Sequence, residues 1–282
     1  MNDLMPSRPS WLHETRILLR LHWRPLLAIV VVTELVSAGV GIAGTLAAIR
    51  AVDVFPGLDG TIGVALVFMV PAVLAGMCNA WTWAAVVEVC RSAGAGRRVG
   101  VAVALRQGLR PAGPLALWLA GMALLNAVIR AYTFHELLDG YRSRSFQTAS
   151  AVATISAWYL VFATALLPLV VLVEQRGAGR AWLLAHSRAA TAGQIIAVLA
   201  FGLAVDYVAD LVLTGLRRES GYALPPGLTE VATSVLGVLT ITVSMAALMT
   251  AYLRRVAPFA ATEPEPTPGP AEPVVIELGR TW

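Results

Sequence analysis

The sequence predicts an all-α, polytopic membrane protein: six transmembrane helices arranged as three hairpins, with interfacial helices leading them. Three observations predict it. The chain has 282 residues, of which 57% are hydrophobic and only 13% charged, where a soluble domain carries about 25% charged residues. Mean hydropathy is +0.72. Six apolar runs reach the roughly 20 residues that a helix needs to cross a hydrocarbon core. These runs are continuous rather than alternating, and a helix satisfies its own backbone hydrogen bonds in lipid.

The segment ahead of the first run holds Trp11, His13, Glu14 and the arginines Arg8, Arg16, Arg20 and Arg24. No small-residue cleavage site follows a short apolar core, so the sequence predicts an uncleaved signal anchor. Within residues 11–24, Arg16, Arg20 and Arg24 recur every fourth position and share one helical face. Trp11, Leu18, Leu19 and Trp23 lie away from that stripe. Such a segment suits the headgroup plane, arginines toward anionic phosphates and tryptophans toward the acyl boundary. An ordinary linker helix bracing the bundle is the competing reading.

The spans are expected at residues 25–49, 62–89, 112–132, 149–173, 193–216 and 228–253. Small residues four apart occur at Ser37 and Gly41, at Ala72, Gly76 and Ala80, and at Thr233 and Gly237. This spacing lets helix backbones approach closely. Pro71 and Pro168 either kink their spans or stand tolerated near helix ends. The longest connection, residues 133–148, reads as a short helical turn ending at Gly140 followed by a polar stretch. Residues 1–257 form the membrane domain. Residues 258–282 are rich in Pro and Glu and are expected to be disordered, because they bury too little apolar surface to offset ordering entropy.

Arginine sets the orientation. All 21 basic residues are arginine, and 15 of them fall on the side that also receives both termini. The positive-inside rule then makes both termini cytoplasmic, in a bacterial plasma membrane. The tetrapeptide GAGR occurs at residues 94–97 and again at 177–180, each time between a transmembrane hairpin and a semi-polar segment. The chain therefore reads as three units, each an interfacial helix followed by a hairpin. Anionic phospholipid headgroups are the expected partners of Arg16, Arg20, Arg24, Arg97, Arg98, Arg180 and Arg188.

Ionisable groups inside spans are costly and mark candidate sites. Asp206 and Asp210 share one face of the fifth span, and Arg130 is expected at a similar depth in the third. This trio could bind a cation or a lipid headgroup, relay protons, or form a structural ion pair. Glu34 lies in the inner half of the first span, and Glu88 is placed to pair with Arg91. Asn79 and Asn126 are suited to hydrogen bonds between helices. No HExxH, GxSxG or P-loop is present, so no enzyme class is indicated. Cys78 and Cys90 are too far apart on one helix to pair, and no cysteine–histidine cluster suggests a metal. No cofactor is expected. The arginines are dispersed between apolar segments, which argues against nucleic acid as a partner.

From Leu166 to Gln194 the chain reads LLPLVVLVEQRGAGRAWLLAHSRAATAGQ. This stretch resembles the multi-span membrane domain found in glycerophosphoryl diester phosphodiesterases and in stand-alone bacterial relatives. The resemblance rests on Pro168, Glu174, Gly177, Ser187 and Arg188, and on Tyr252, Arg254 and Arg255 at the close of the last span. It covers most of the chain by layout but only about 40 residues by motif. The catalytic barrel of that family has no counterpart here. The resemblance therefore implies a membrane-embedded accessory domain and transfers no catalytic residue. The sequence points to a non-enzymatic accessory, scaffold or regulatory subunit, with a membrane protein as a possible partner. A small permease or transporter component built on the acidic pair is the alternative, and an intramembrane lipid-handling enzyme a third reading.

Overall fold

The computed structural model describes residues 10–54, 61–94, 97, 99–138, 144–219 and 226–260. Among the described residues the chain is helical, with no strand. In order the helices are α1 (Trp11–Val54), α2 (Thr61–Gly94), α3 (Val101–Gly108), α4 (Ala112–Leu138), α5 (Arg144–Thr164), α6 (Leu167–Leu169), α7 (Ala178–His186), α8 (Ala189–Glu219) and α9 (Pro226–Ala260). A π-turn, Val170–Glu174, continues α6. Among the described residues, five segments are long and apolar enough to cross a membrane, and six if α3 and the start of α4, bent by 76°, count as one. The protein is a multi-pass, all-α membrane protein.

Two of the three expected leading segments are separate short helices. α3 precedes α4, and α7 precedes α8. The first is not separate: α1 runs unbroken through Arg24 and Pro25 for 44 residues. The cause is visible in the chain. Glycine-containing connectors precede α3 and α7, whereas nothing between Trp11 and Pro25 stops a helix, and proline alone bends one more readily than it ends it. At about 1.5 Å per residue α1 exceeds the hydrocarbon thickness twofold. Its arginine stripe therefore climbs a helix continuous with the span. The connection expected at 133–148 is also shorter, because α4 continues to Leu138 and α5 starts at Arg144. The domain boundary at 257/258 falls inside α9, which runs to Ala260; residues 261–282 of the expected tail lie outside the described residues.

α2 is the central helix, packed on α1 along one side and on α4 along another. Small residues make this possible. A Cβ on Gly76 would stand 2.8 Å from the Leu119 carbonyl oxygen of α4, and one on Gly108 would stand 2.8 Å from the Ala85 nitrogen of α2. Ala80 and Ala85 are fully buried. Gly41 and Gly237 meet nothing, so of the three small-residue faces only that of α2 is a close seam at its glycine. Gly44 does for α1 what Gly41 was expected to do, lying against Leu74 of α2. The Trp81 indole donates to the Leu105 carbonyl at 2.8 Å and ties α3 down.

Packing is dense at one end of the bundle and thins toward the other. The dense end gathers Leu26, Ile29 and Val30 of α1, Trp83 to Val89 of α2, Leu166 to Val171, Leu184 and Ala185 of α7, and Met245 to Tyr252 of α9. This is the end that carries most of the arginines. Toward the other end, Val152 and Ile155 of α5 and Leu203, Val208 and Leu211 of α8 are exposed. Apolar side chains turned outward on every span suit a lipid environment.

Candidate functional site

The fourth span breaks where Pro168 removes a backbone donor. α5 ends at Thr164, and the chain re-forms as α6 with the proline in its first turn. The π-turn then carries the chain to Glu174, and Gln175 closes it in the left-handed conformation at φ 53°. π-turns inside helices are frequent at functional sites. Gly177 follows as the extended residue ahead of α7.

Glu174 is the node of a polar cluster at the arginine-rich end. Its Oε2 accepts from Arg180 Nε of α7 at 2.8 Å, and its Oε1 accepts from the Tyr252 hydroxyl of α9 at 3.1 Å. Tyr252 is 1% exposed, so its hydroxyl needs an internal partner and has one. Beside it, Arg254 donates from Nε and Nη2 to the two oxygens of Glu14, at 2.6 and 3.0 Å. That fork joins the start of α1 to the close of α9. Arg255 Nη2 donates to Ser187 Oγ at 2.9 Å, and Ser187 donates in turn to the Leu184 carbonyl. The Tyr252–Arg255 turn of α9 is thereby fastened to α1, to the π-turn and to the junction of α7 with α8. With both oxygens engaged, Glu174 is a structural anchor.

An aromatic plate flanks this cluster. His186 stacks on Trp182 at 4.5 Å and meets the edge of Phe162 at 5.2 Å. The Trp182 indole donates to the Tyr159 hydroxyl at 3.0 Å, and His186 Nδ1 lies 2.8 Å from the Trp182 carbonyl. Trp182 and Tyr159 are exposed, as aromatic side chains at a headgroup boundary are. The plate binds α7 to the end of α5.

The residues singled out from the sequence distribute differently. Asp206 and Asp210 are both exposed on α8. Arg130 belongs to α4, and its side chain lies outside the described residues; α8 packs chiefly on α9 and α4 chiefly on α2. Glu34 is half-buried where α1 meets α2, near Cys78. Glu88 accepts from Ser92 at 3.2 Å. Asn79 is exposed, and the side chain of Asn126 lies outside the described residues. Among the expected lipid contacts, Arg16, Arg20, Arg24, Arg97 and Arg188 are exposed. Arg24 also stands 5.5 Å over the Trp23 ring. Arg98 lies outside the described residues, and Arg180 directs its Nε inward to Glu174.

The cluster around Glu174 was not foreseen as a site. Its members, Glu174, Ser187, Tyr252, Arg254 and Arg255, carried the family resemblance, but as features of layout. The available signal was a proline-broken span ending in an acid, facing a tyrosine–arginine segment at the same membrane level. Glu14 carried no such signal. Among the described residues no group of three histidine, cysteine or acidic side chains could hold a metal ion.

Against this geometry, no family model, no curated protein and no solved structure matches the chain.

Proposed function

We propose that this protein is a non-enzymatic accessory or scaffold subunit of a bacterial plasma membrane, with both termini in the cytoplasm. One observation carries the reading: among the described residues, the buried polar side chains other than Tyr252 are threonine and serine hydroxyls, not charged groups. They are Thr15, Thr33, Thr82, Ser92, Thr191, Thr242 and Thr250. Most spend their hydroxyl on their own helix: Thr33 on Ile29, Thr82 on Cys78, Thr242 on Val238 and Thr250 on Ala246. A solute path needs polar groups turned toward water, whereas these are turned back on the backbone. The resemblance to the phosphodiesterase membrane domain supports the same reading, since that domain stands beside a catalytic unit. The 15 arginines on one side support the orientation.

The test is water access to the interior. In a Cys78→Ser, Cys90→Ser background, cysteines placed at Thr33, Ala80 and Thr242 meet a membrane-impermeant maleimide added from either side. The scaffold reading expects no labelling, and stoichiometric copurification of a membrane partner after mild extraction. Labelling of the same position from both sides would replace it with the permease reading.

A further inference from the structure

We infer that residues 261–282 of this chain dock on the exposed face of α1 that carries Arg16, Arg20 and Arg24. The inference goes beyond the accessory reading and does not depend on it.

The face comes first. At about 100° per residue, Arg16, Arg20 and Arg24 fall within one arc of α1, with Leu12 and Trp23 on one flank and Ile17 and Leu21 on the other. All of these side chains are exposed. The opposite arc, with Trp11, Thr15 and Leu18, is turned to the core. Among the described residues Arg16, Arg20 and Arg24 form no ion pair, and the nearest acid of α1, Glu14, has both oxygens on Arg254. Arginines bordered by exposed leucine, isoleucine and tryptophan make a mixed surface. It suits a segment that is acidic and apolar together.

The chain supplies such a segment. Residues 261–282 hold Glu263, Glu265, Glu272 and Glu277 against the single Arg280, together with Val274, Val275, Ile276 and Leu278. The end of α9 brings this segment to the right place. Arg254 is bonded to Glu14, and α9 ends at Ala260, about 9 Å farther along its axis. From Ala260 to Glu277 a chain reaches at most about 55 Å. The stripe from Arg16 to Arg24 is only about 12 Å long and starts two positions after Glu14. Tethering decides between occupants. Anionic headgroups answer the arginines alone. The tail answers arginines and leucines together, at a local concentration on the order of 1 mM. An intrinsic dissociation constant of about 0.1 mM then keeps the face covered about nine-tenths of the time.

The test is a crosslinking rate in the full chain, one copy per phosphatidylcholine nanodisc. In a Cys78→Ser, Cys90→Ser background, a short bismaleimide joins Leu21→Cys, on the flank of the stripe, to Val275→Cys. Leu109→Cys, an exposed position just after α3 at the same end of the bundle, is paired with Val275→Cys to give the rate of an undocked tether. Docking is expected to make the first rate about tenfold the second. The tail glutamates lie beyond α9, so replacing all four by glutamine leaves the helices unaltered in sequence. That change is expected to lower the Leu21 rate about tenfold, to the Leu109 level. Salt near 1 M should do the same without any charge substitution, since the Debye length is then about 3 Å. Equal rates at Leu21 and Leu109 with the native tail would overturn the inference, as would a Leu21 rate indifferent to both charge removal and salt. Phosphatidylglycerol added to the discs tests the rival occupant. A Leu21 rate that holds assigns the face to the tail, and one that falls to the Leu109 level assigns it to lipid. Partner copurification is read separately, so failure of the docking leaves the accessory reading standing.

Discussion

The two ends of the bundle solve the packing problem differently. At the arginine-rich end the helices are joined by backbone seams and by a polar cluster. At the other end, α5 and α8 expose apolar side chains on several sides, α8 packing mainly on α9 and α5 touching its neighbours little. Lipid tails are as apolar as leucine, so burying leucine against leucine gives little drive for association. Helices come together where something better than lipid is on offer. Here that is close backbone approach at Gly108 and Gly76, or hydrogen bonds from Tyr252, Arg254 and Arg255. Where neither is present, the helices face lipid instead.

The sharpest way to break the comparison is to remove a seam. At Gly108 any added Cβ meets backbone atoms of Ala84 and Ala85, which cannot rotate out of the way. Gly108→Val is expected to cost about 3 kcal/mol. It should also free the Trp81 indole from the Leu105 carbonyl, which fluorescence and thermal unfolding in detergent would both register. An unchanged transition would mean that α3 is not docked on α2 as the structure has it. The same substitution at Gly113, which meets nothing, is the matched control.

The polar cluster comes next. Glu174→Gln keeps the shape but removes the charge that Arg180 faces and weakens the acceptor of Tyr252. The pair is only partly exposed, at 34% and 16% for its two side chains. We expect a loss of about 2 kcal/mol, below the figure for a fully buried pair because some water reaches Arg180. Limited proteolysis between α7 and α8 is the direct readout, since α7 then loses its tie to the π-turn. No increase in cleavage would show that the aromatic plate alone holds α7.

Much of this was legible in the sequence, and the limits follow from physics. Length and hydropathy mark apolar helices because a bilayer imposes a thickness, and of the two prolines singled out Pro168 stands at an interruption of its helix while Pro71 lies inside α2. The small face of α2 was legible too, but not its difference from the faces holding Gly41 and Gly237. Spacing shows that a backbone could approach, not which neighbour does. The Glu174 cluster was hidden for a related reason. Glu14 and Arg254 are 240 residues apart, and Glu174 and Tyr252 are 78 apart. Only the order in which α9 returns beside α1 brings them together. The repeat predicts a separate leading helix in the first unit too, but that unit lacks the glycine connector, so α1 runs unbroken.

A smaller effect separates the two kinds of joint. The Glu14–Arg254 fork is partly exposed, Glu14 at 33% and Arg254 at 25% of their side chains, so salt should reach it. Glu14→Gln is expected to cost under about 1 kcal/mol at low ionic strength. That difference should vanish near 1 M salt, where the Debye length is about 3 Å. The Gly108→Val deficit should stay unchanged in the same titration, because steric overlap is not screened. A salt-independent Glu14→Gln deficit would mean that the fork acts through packing rather than charge.

The smallest effect is expected at the opposite end. Asp206 and Asp210 are exposed on α8, the helix whose apolar stretch is 11% buried, the least of the spans. If they serve no internal site, replacing both by asparagine removes charge from an outer surface and leaves every joint at the arginine-rich end intact. Thermal stability should then change by no more than about 0.5 kcal/mol, as for a surface substitution. A partner copurifying with the wild type should copurify with the variant. Loss of the partner without loss of stability would instead assign the acidic face of α8 to recognition. The poorly packed end would then be the part of the bundle left open for another helix, and the dense end the part that holds it in shape.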